Sequence, residues 1–116
     1  MRANVDTGNF LLVNQNPVDA IRDLAPLAAY VHLKDFRRRG RDEQVSESYA
    51  ALDGSHFVGT AIGAGEVDLR AVLATLREAG YDGWLSIEFE GTGDAKEGLQ
   101  ASVAATRDLM TWLNSQ

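Results

Sequence analysis

Along this chain, short runs of β-branched and aromatic residues alternate with longer segments whose apolar positions recur every three or four residues. The first pattern suits strands, whose side chains point alternately to two faces, and the second suits helices with one buried stripe. A short strand is expected at Ala3 to Asp6. Asn16 as N-cap and Pro17 at the first helical position then start a helix in which Val18, Ile21 and Leu24 share a face while Asp19 and Arg22 point outward. Pro26 has no amide hydrogen and would clash with the carbonyl four residues back, so this helix should stop near Leu24 or Ala25.

The segment Ala29 to Leu33 alternates Tyr30 and His32 on one face with Val31 and Leu33 on the other, and runs into Lys34 and Asp35. Phe36 to Glu66 is polar and too long for a routine connection. It is expected to be a functional loop, or one with small elements of its own, covering a site. Gly59, Gly63 and Gly65 fall there without the spacing of a dinucleotide-binding turn and read as loop flexibility. Asp68 is a good N-cap for a helix carrying Leu69, Val72, Leu73, Leu76 and Ala79 at three-and-four spacing, with Gly80 placed to end it. A third strand, Trp84 to Phe89, puts Trp84, Ser86 and Glu88 on one face. A last helix, Ala95 to Leu113, is expected to bury Leu99, Val103, Thr106, Met110 and Leu113, with Gly98 weakening its first turns. Strands separated by helices imply parallel pairing through crossovers, so residues 1–116 read as one α/β unit.

Composition narrows what such a unit can be. At 45% apolar residues there is enough for a core, and no run is long and apolar enough to span a membrane. The start, MRANVDTGNF, has neither a signal-peptide core nor a transit-peptide pattern, so cytoplasmic residence is the expectation. There is no cysteine, so any metal must be held by oxygen and imidazole. A net charge of -6 argues against nucleic acid as partner, although Arg37, Arg38, Arg39 and Arg41 could meet a small anion.

Reactive groups in α/β folds collect at the carboxyl ends of the strands, and Asp6, His32 and Glu88 each occupy such an end. One imidazole and two carboxylates form a mixed nitrogen and oxygen set suited to Mn²⁺, Mg²⁺, Co²⁺ or Zn²⁺. Taken singly, each residue has a plainer reading. Asp6 could cap a turn before Gly8 and Asn9, His32 could be a hydrogen-bonded core histidine, and Glu90 shares the strand parity of Glu88. Lys34 and Asp35 could be solvated charges or could orient His32.

The segments NVDTGNF, AYVHLKD, IGAGEVDLRAVL and EAGYDGWLSIEFEG, in this order, resemble the last part of the sugar phosphate isomerase/epimerase group of the xylose isomerase-like superfamily. The resemblance runs from Asn4 to about Met110. It implies a (β/α)₈ TIM barrel of which this chain holds the C-terminal three βα units, with parallel strands and flanking helices. It implies one divalent ion held by Asp6, His32 and Glu88, with a further glutamate on a strand that would precede Met1. Glu88 would also be catalytic, one of two glutamates that move a proton through an enediolate-like intermediate of a keto or aldo sugar. Asn9 stands where many relatives have histidine, and Asn9, Lys34 and Arg38 are the expected substrate contacts, with Arg38 holding a hydroxyl or phosphate.

Three strands would leave two sheet edges that a closed barrel does not have, so a homo-oligomer or a complementary N-terminal fragment is the expected partner. Two other functions stay in view. One is a non-catalytic fragment or assembly module of the same fold. The other is a metalloenzyme like the apurinic-site endonucleases, which would call for more histidines and a basic groove than this chain has.

Overall fold

A computed structural model describes all residues from Met1 to Gln116. Its first layer is a parallel sheet of three strands, β1 (Ala3–Asp6), β2 (Ala28–Leu33) and β6 (Leu85–Ile87), in the order β1-β2-β6. Helix α1 (Pro17–Leu24) joins the first two strands, α2 (Leu69–Glu78) precedes β6, and α3 (Ala95–Asn114) follows it. This is the α/β unit that the alternation of strand and helix patterns implies, and it has the partial barrel architecture that the resemblance implies.

The two faces of the sheet differ because the sequence alternates. Val5 pairs with Val31, Val31 with Leu85 and Leu33 with Ile87, and this face is sealed by Ile21 of α1 and by Val72, Leu73 and Leu76 of α2. Burying side chains of this size contributes roughly 1.5–3 kcal/mol each. The opposite face carries Tyr30, 36% exposed, and Trp84, 78% exposed. In a closed barrel that face would point inward.

Helix boundaries follow local chemistry. The Asn16 side chain accepts hydrogen bonds from the amides of Val18 and Asp19, with Pro17 at the first position. Asp68 accepts from the amide of Ala71, and Gly80 at φ +80° leaves α2 in the left-handed conformation that ends helices. The third strand is shorter than its alternation suggests, because Trp84, Glu88 and Phe89 lie outside the ladder.

The long polar stretch holds a second sheet. Strands β3 (Asp35–Arg38), β4 (Tyr49–Ala50) and β5 (His56–Thr60) pair antiparallel in the order β3-β5-β4. Their own small core is Phe36, Ala51 and Phe57, with Leu11, Leu12 and Tyr49 packed against it. The glycines here answer to close contact more than to flexibility. A Cβ at Gly59 would overlap the backbone of Glu90 and Gly91, and one at Gly65 would overlap Asp35.

The buried stripe of α3 holds as expected at Thr106, Met110 and Leu113, which are half-buried or buried, and departs from the expected one in the first half of the helix. Leu99 and Val103 are exposed, at 42% and 37%, while Ser102 and Leu113 are buried. Phe89 lies so close to Gly98 that a Cβ there would overlap its ring. The helix therefore approaches on its small residues, and the Ser102 hydroxyl donates to the Gly98 carbonyl and accepts from the amide of Ile62.

Candidate functional site

Register brings the expected residues together. Asp6 is paired with His32 across β1 and β2, and His32 is paired with Ser86 across β2 and β6. Glu88 stands two residues beyond Ser86, past the end of β6, and its amide donates to the Leu33 carbonyl at 2.9 Å. Parity along three parallel strands thus points Asp6, His32 and Glu88 to one end of one face.

Thr7 fixes the strand ends that carry these groups. It is fully buried, its amide donates to the His32 carbonyl, and its hydroxyl both donates to the Lys34 carbonyl (2.8 Å) and accepts from the Lys34 amide (2.9 Å). Sequence reasoning passed over Thr7. The available signal was its position next to Asp6 on the opposite face, where a polar residue must find partners inside the structure.

Asp6 divides its two oxygens between the two roles considered for it. Oδ1 accepts from the amides of Gly8 and Asn9, both at 3.0 Å, which is the turn-capping role. Oδ2 lies 3.1 Å from the Lys34 ammonium. Glu88 is divided in the same way, with Oε2 at 2.9 Å from Lys34 Nζ and Oε1 at 2.7 Å from His32 Nδ1. That imidazole nitrogen is sealed from solvent, yet the pair is not aligned for a hydrogen bond and Nδ1 is left without a partner.

Lys34 is the hub. Besides Asp6 and Glu88, its ammonium meets Glu90 Oε1 at 2.8 Å and approaches Asn9 Oδ1 at 3.5 Å, with the side chain only 5% exposed. Burial works against the charged form, but the bonds to Glu90, Glu88 and Asp6 outweigh it and hold the ammonium above the ordinary lysine range. Glu88 moves the opposite way. The Lys34 hydrogen bond keeps its carboxyl below the usual range against the opposing effect of burial. Glu90, the rival of Glu88 in the sequence, belongs to the cluster as a lysine partner.

Asp35 neither points into solvent nor orients His32. It is 1% exposed and accepts four backbone hydrogen bonds, from Phe36 and Val67 on Oδ1 and from Gly63 and Gly65 on Oδ2. Burial pushes its carboxyl up while these four amides pull the other way, and the net direction is up. Its place is structural: it ties the end of β2 to the segment that leads into α2.

Arg38 is not brought to the cluster. It lies at the far end of β3, its guanidinium 5.0 Å from the Phe57 ring centroid and its amide donating to Glu66. The neighbouring Arg37 is held by a two-pronged contact with Glu43, at 2.8 and 2.6 Å, which lowers that carboxyl to about 2. The local arginine run is therefore partly neutralised within its own loop.

The donor set suits a divalent cation: two carboxylates, an imidazole whose buried Nδ1 lacks a partner, and no thiolate. Three carboxylates already converge on one positive charge. With the Lys34 ammonium between Asp6 and Glu88, no three of the acidic and histidine side chains close into a metal-binding group. The residues fit a cation by their chemistry, and in this arrangement the cation among them is Lys34.

A family model described as xylose isomerase-like TIM barrel matches residues 1–115. This chain belongs to that family. A solved xylose isomerase domain protein from Planctomyces limnophilus superimposes with a TM-score of 0.74 at 28% identity, over 99% of this chain and 37% of that one. A structure of the IOLI protein with a bound zinc atom shares the fold, at a TM-score of 0.63 and 19% identity over 93% of this chain and 37% of that one. Among curated relatives, the inosose dehydratase of Geobacillus kaustophilus is 36% identical over 89 residues, covering 73% of this chain and 28% of that protein. The inosose dehydratase of Bacillus licheniformis is 30% identical over 109 residues, 90% of this chain and 33% of that protein. The chain thus spans about a third of the length of the relatives it matches. The curated relatives named here are inosose dehydratases.

Proposed function

We propose that this chain contributes metal ligands and a proton-transferring carboxylate to an enzyme that removes a proton next to the carbonyl of a polyhydroxylated ketone. The observation that carries this reading is the convergence of Asp6, His32, Glu88 and Lys34 at the ends of three parallel strands, with Glu88 touching both the imidazole and the ammonium. Asp6, His32 and Glu88 would hold the divalent ion. When bound, such an ion supplies Lewis-acid stabilisation of negative charge on a carbonyl oxygen. The zinc of the IOLI structure and the ligand chemistry here both support a metal, with Mn²⁺, Mg²⁺, Co²⁺ and Zn²⁺ all compatible.

The chain's own groups would do the following. Glu88 would accept the proton from carbon: it is the carboxylate at the strand ends that reaches both the imidazole and the ammonium. Lys34 offers a positive charge toward oxygen on the same rim, and Asn9, 3.5 Å from it, offers an amide to a substrate hydroxyl. Thr7 keeps the strand ends in register while the proton moves.

The fate of the deprotonated ketone separates two reactions. Return of the proton at the neighbouring carbon gives isomerisation, return to the opposite face of the same carbon gives epimerisation, and loss of a hydroxyl from the next carbon gives dehydration. The inosose dehydratase relatives favour dehydration. Isomerase or epimerase chemistry remains the second reading, because it needs the same base in the same place. Both are tested by incubating this protein with Mn²⁺ and inosose in heavy water. The expected result is deuterium uptake next to the carbonyl, seen by NMR, that falls at least about a hundredfold in Glu88→Gln, as for loss of a general base. Uptake unchanged in Glu88→Gln removes Glu88 from the chemistry. No uptake in the wild type favours the non-catalytic module of the same fold.

A further inference from the structure

Resting on the metal-site reading above, we propose that Lys34 is the resident cation of the ligand set: it holds Asp6 and Glu88 in place until a divalent ion displaces its ammonium toward Glu90 and Asn9.

The oxygens decide this assignment. Asp6 Oδ1 is committed to two backbone amides and Glu88 Oε1 faces His32. The oxygens left on the two carboxylates are Asp6 Oδ2 and Glu88 Oε2, and these are the ones Lys34 Nζ touches, at 3.1 and 2.9 Å. An ion using them needs the space the ammonium fills, and two cations so close together repel strongly.

Lys34 also has somewhere to go. Glu90 Oε1 at 2.8 Å and Asn9 Oδ1 at 3.5 Å lie outside the ligand set, so a retracted ammonium keeps a carboxylate and an amide oxygen. This matters because a side chain so little exposed cannot lose every charge partner without a large desolvation cost. Its backbone is pinned from both sides by the Thr7 hydroxyl, which confines the movement to the side chain. The charges agree as well: three carboxylates against one ammonium leave two negative charges, the complement of a divalent ion.

The test is calorimetric titration of this chain with Mn²⁺ alone, on the wild type, Lys34→Met and Glu90→Gln. Lys34→Gln serves as a second neutral variant in case methionine disturbs folding, with circular dichroism as the check. Removing the competing charge should tighten Mn²⁺ binding about tenfold in either Lys34 variant, the order expected for a unit charge a few ångströms from the ion. Glu90→Gln should weaken binding by a similar factor, because it strengthens the hold of Lys34 on the ligand oxygens. Unchanged or weaker binding in folded Lys34 variants overturns the displacement while leaving the metal site intact. Absence of binding in both the wild type and the Lys34 variants overturns the metal-dependent reading and this inference together.

Discussion

Asp35 and Lys34 are adjacent, both are buried, and each solves the cost of burial differently. Lys34 gathers carboxylates, and Asp35 gathers backbone amides. An Asp35→Asn substitution keeps the shape but turns two lone-pair sites into N–H donors facing amides that also donate. Unmet donors of this kind cost about 1–3 kcal/mol each. The expected outcome is a loss of at least about 2 kcal/mol in urea unfolding and faster amide exchange at Gly63, Gly65 and Val67. A variant as stable as the wild type, with those amides still protected, would show that the carboxylate does not hold this segment. At the same scale, the convergence of Asp6, His32 and Glu88 was legible through parity and motif, whereas the bonds of Thr7 and three of the four amides on Asp35 depend on partners about thirty residues away.

Among the elements, those with a capping residue and a clean period were readable in advance. Asn16 with Pro17, and Asp68 with Gly80, mark α1 and α2 through local chemistry alone. The antiparallel sheet inside the long polar stretch was less so. Its strands are only two to five residues long and mix Phe36, Phe57 and Val58 with Arg37 and Arg38, so their alternation is drowned by charge. Pairing with each other, not local propensity, makes them strands. Helix α3 illustrates a different limit. Its larger apolar residues Leu99 and Val103 suggest one buried stripe, but contact with Phe89 at Gly98 selects a face built on small residues. Periodicity records which residues are apolar, and a close approach is governed by which are small.

For the whole molecule, the open parallel sheet is the main consequence of having three barrel strands. Its strand order leaves β1 and β6 at the edges, and its inner face exposes Tyr30 and Trp84 beside the charged cluster. We propose that a second copy of this chain covers these edges and that face. Sedimentation of the purified chain should give a dimer or larger closed assembly that Trp84→Glu shifts toward monomer. A monodisperse wild-type monomer contradicts this and leaves a complementary N-terminal fragment as the partner to test. The family and the fold rest on agreement over nearly the full chain, while the chemistry rests on a handful of side chains at one end of the sheet. The direct test of that chemistry is electron spin-echo spectroscopy of Mn²⁺ added to this chain, which detects a nitrogen bound to the ion. A nitrogen coupling in the wild type that disappears in His32→Gln is the predicted result, and bound Mn²⁺ without any such coupling, or with one unaffected by the substitution, would contradict the assignment of His32, Asp6 and Glu88 as its ligands.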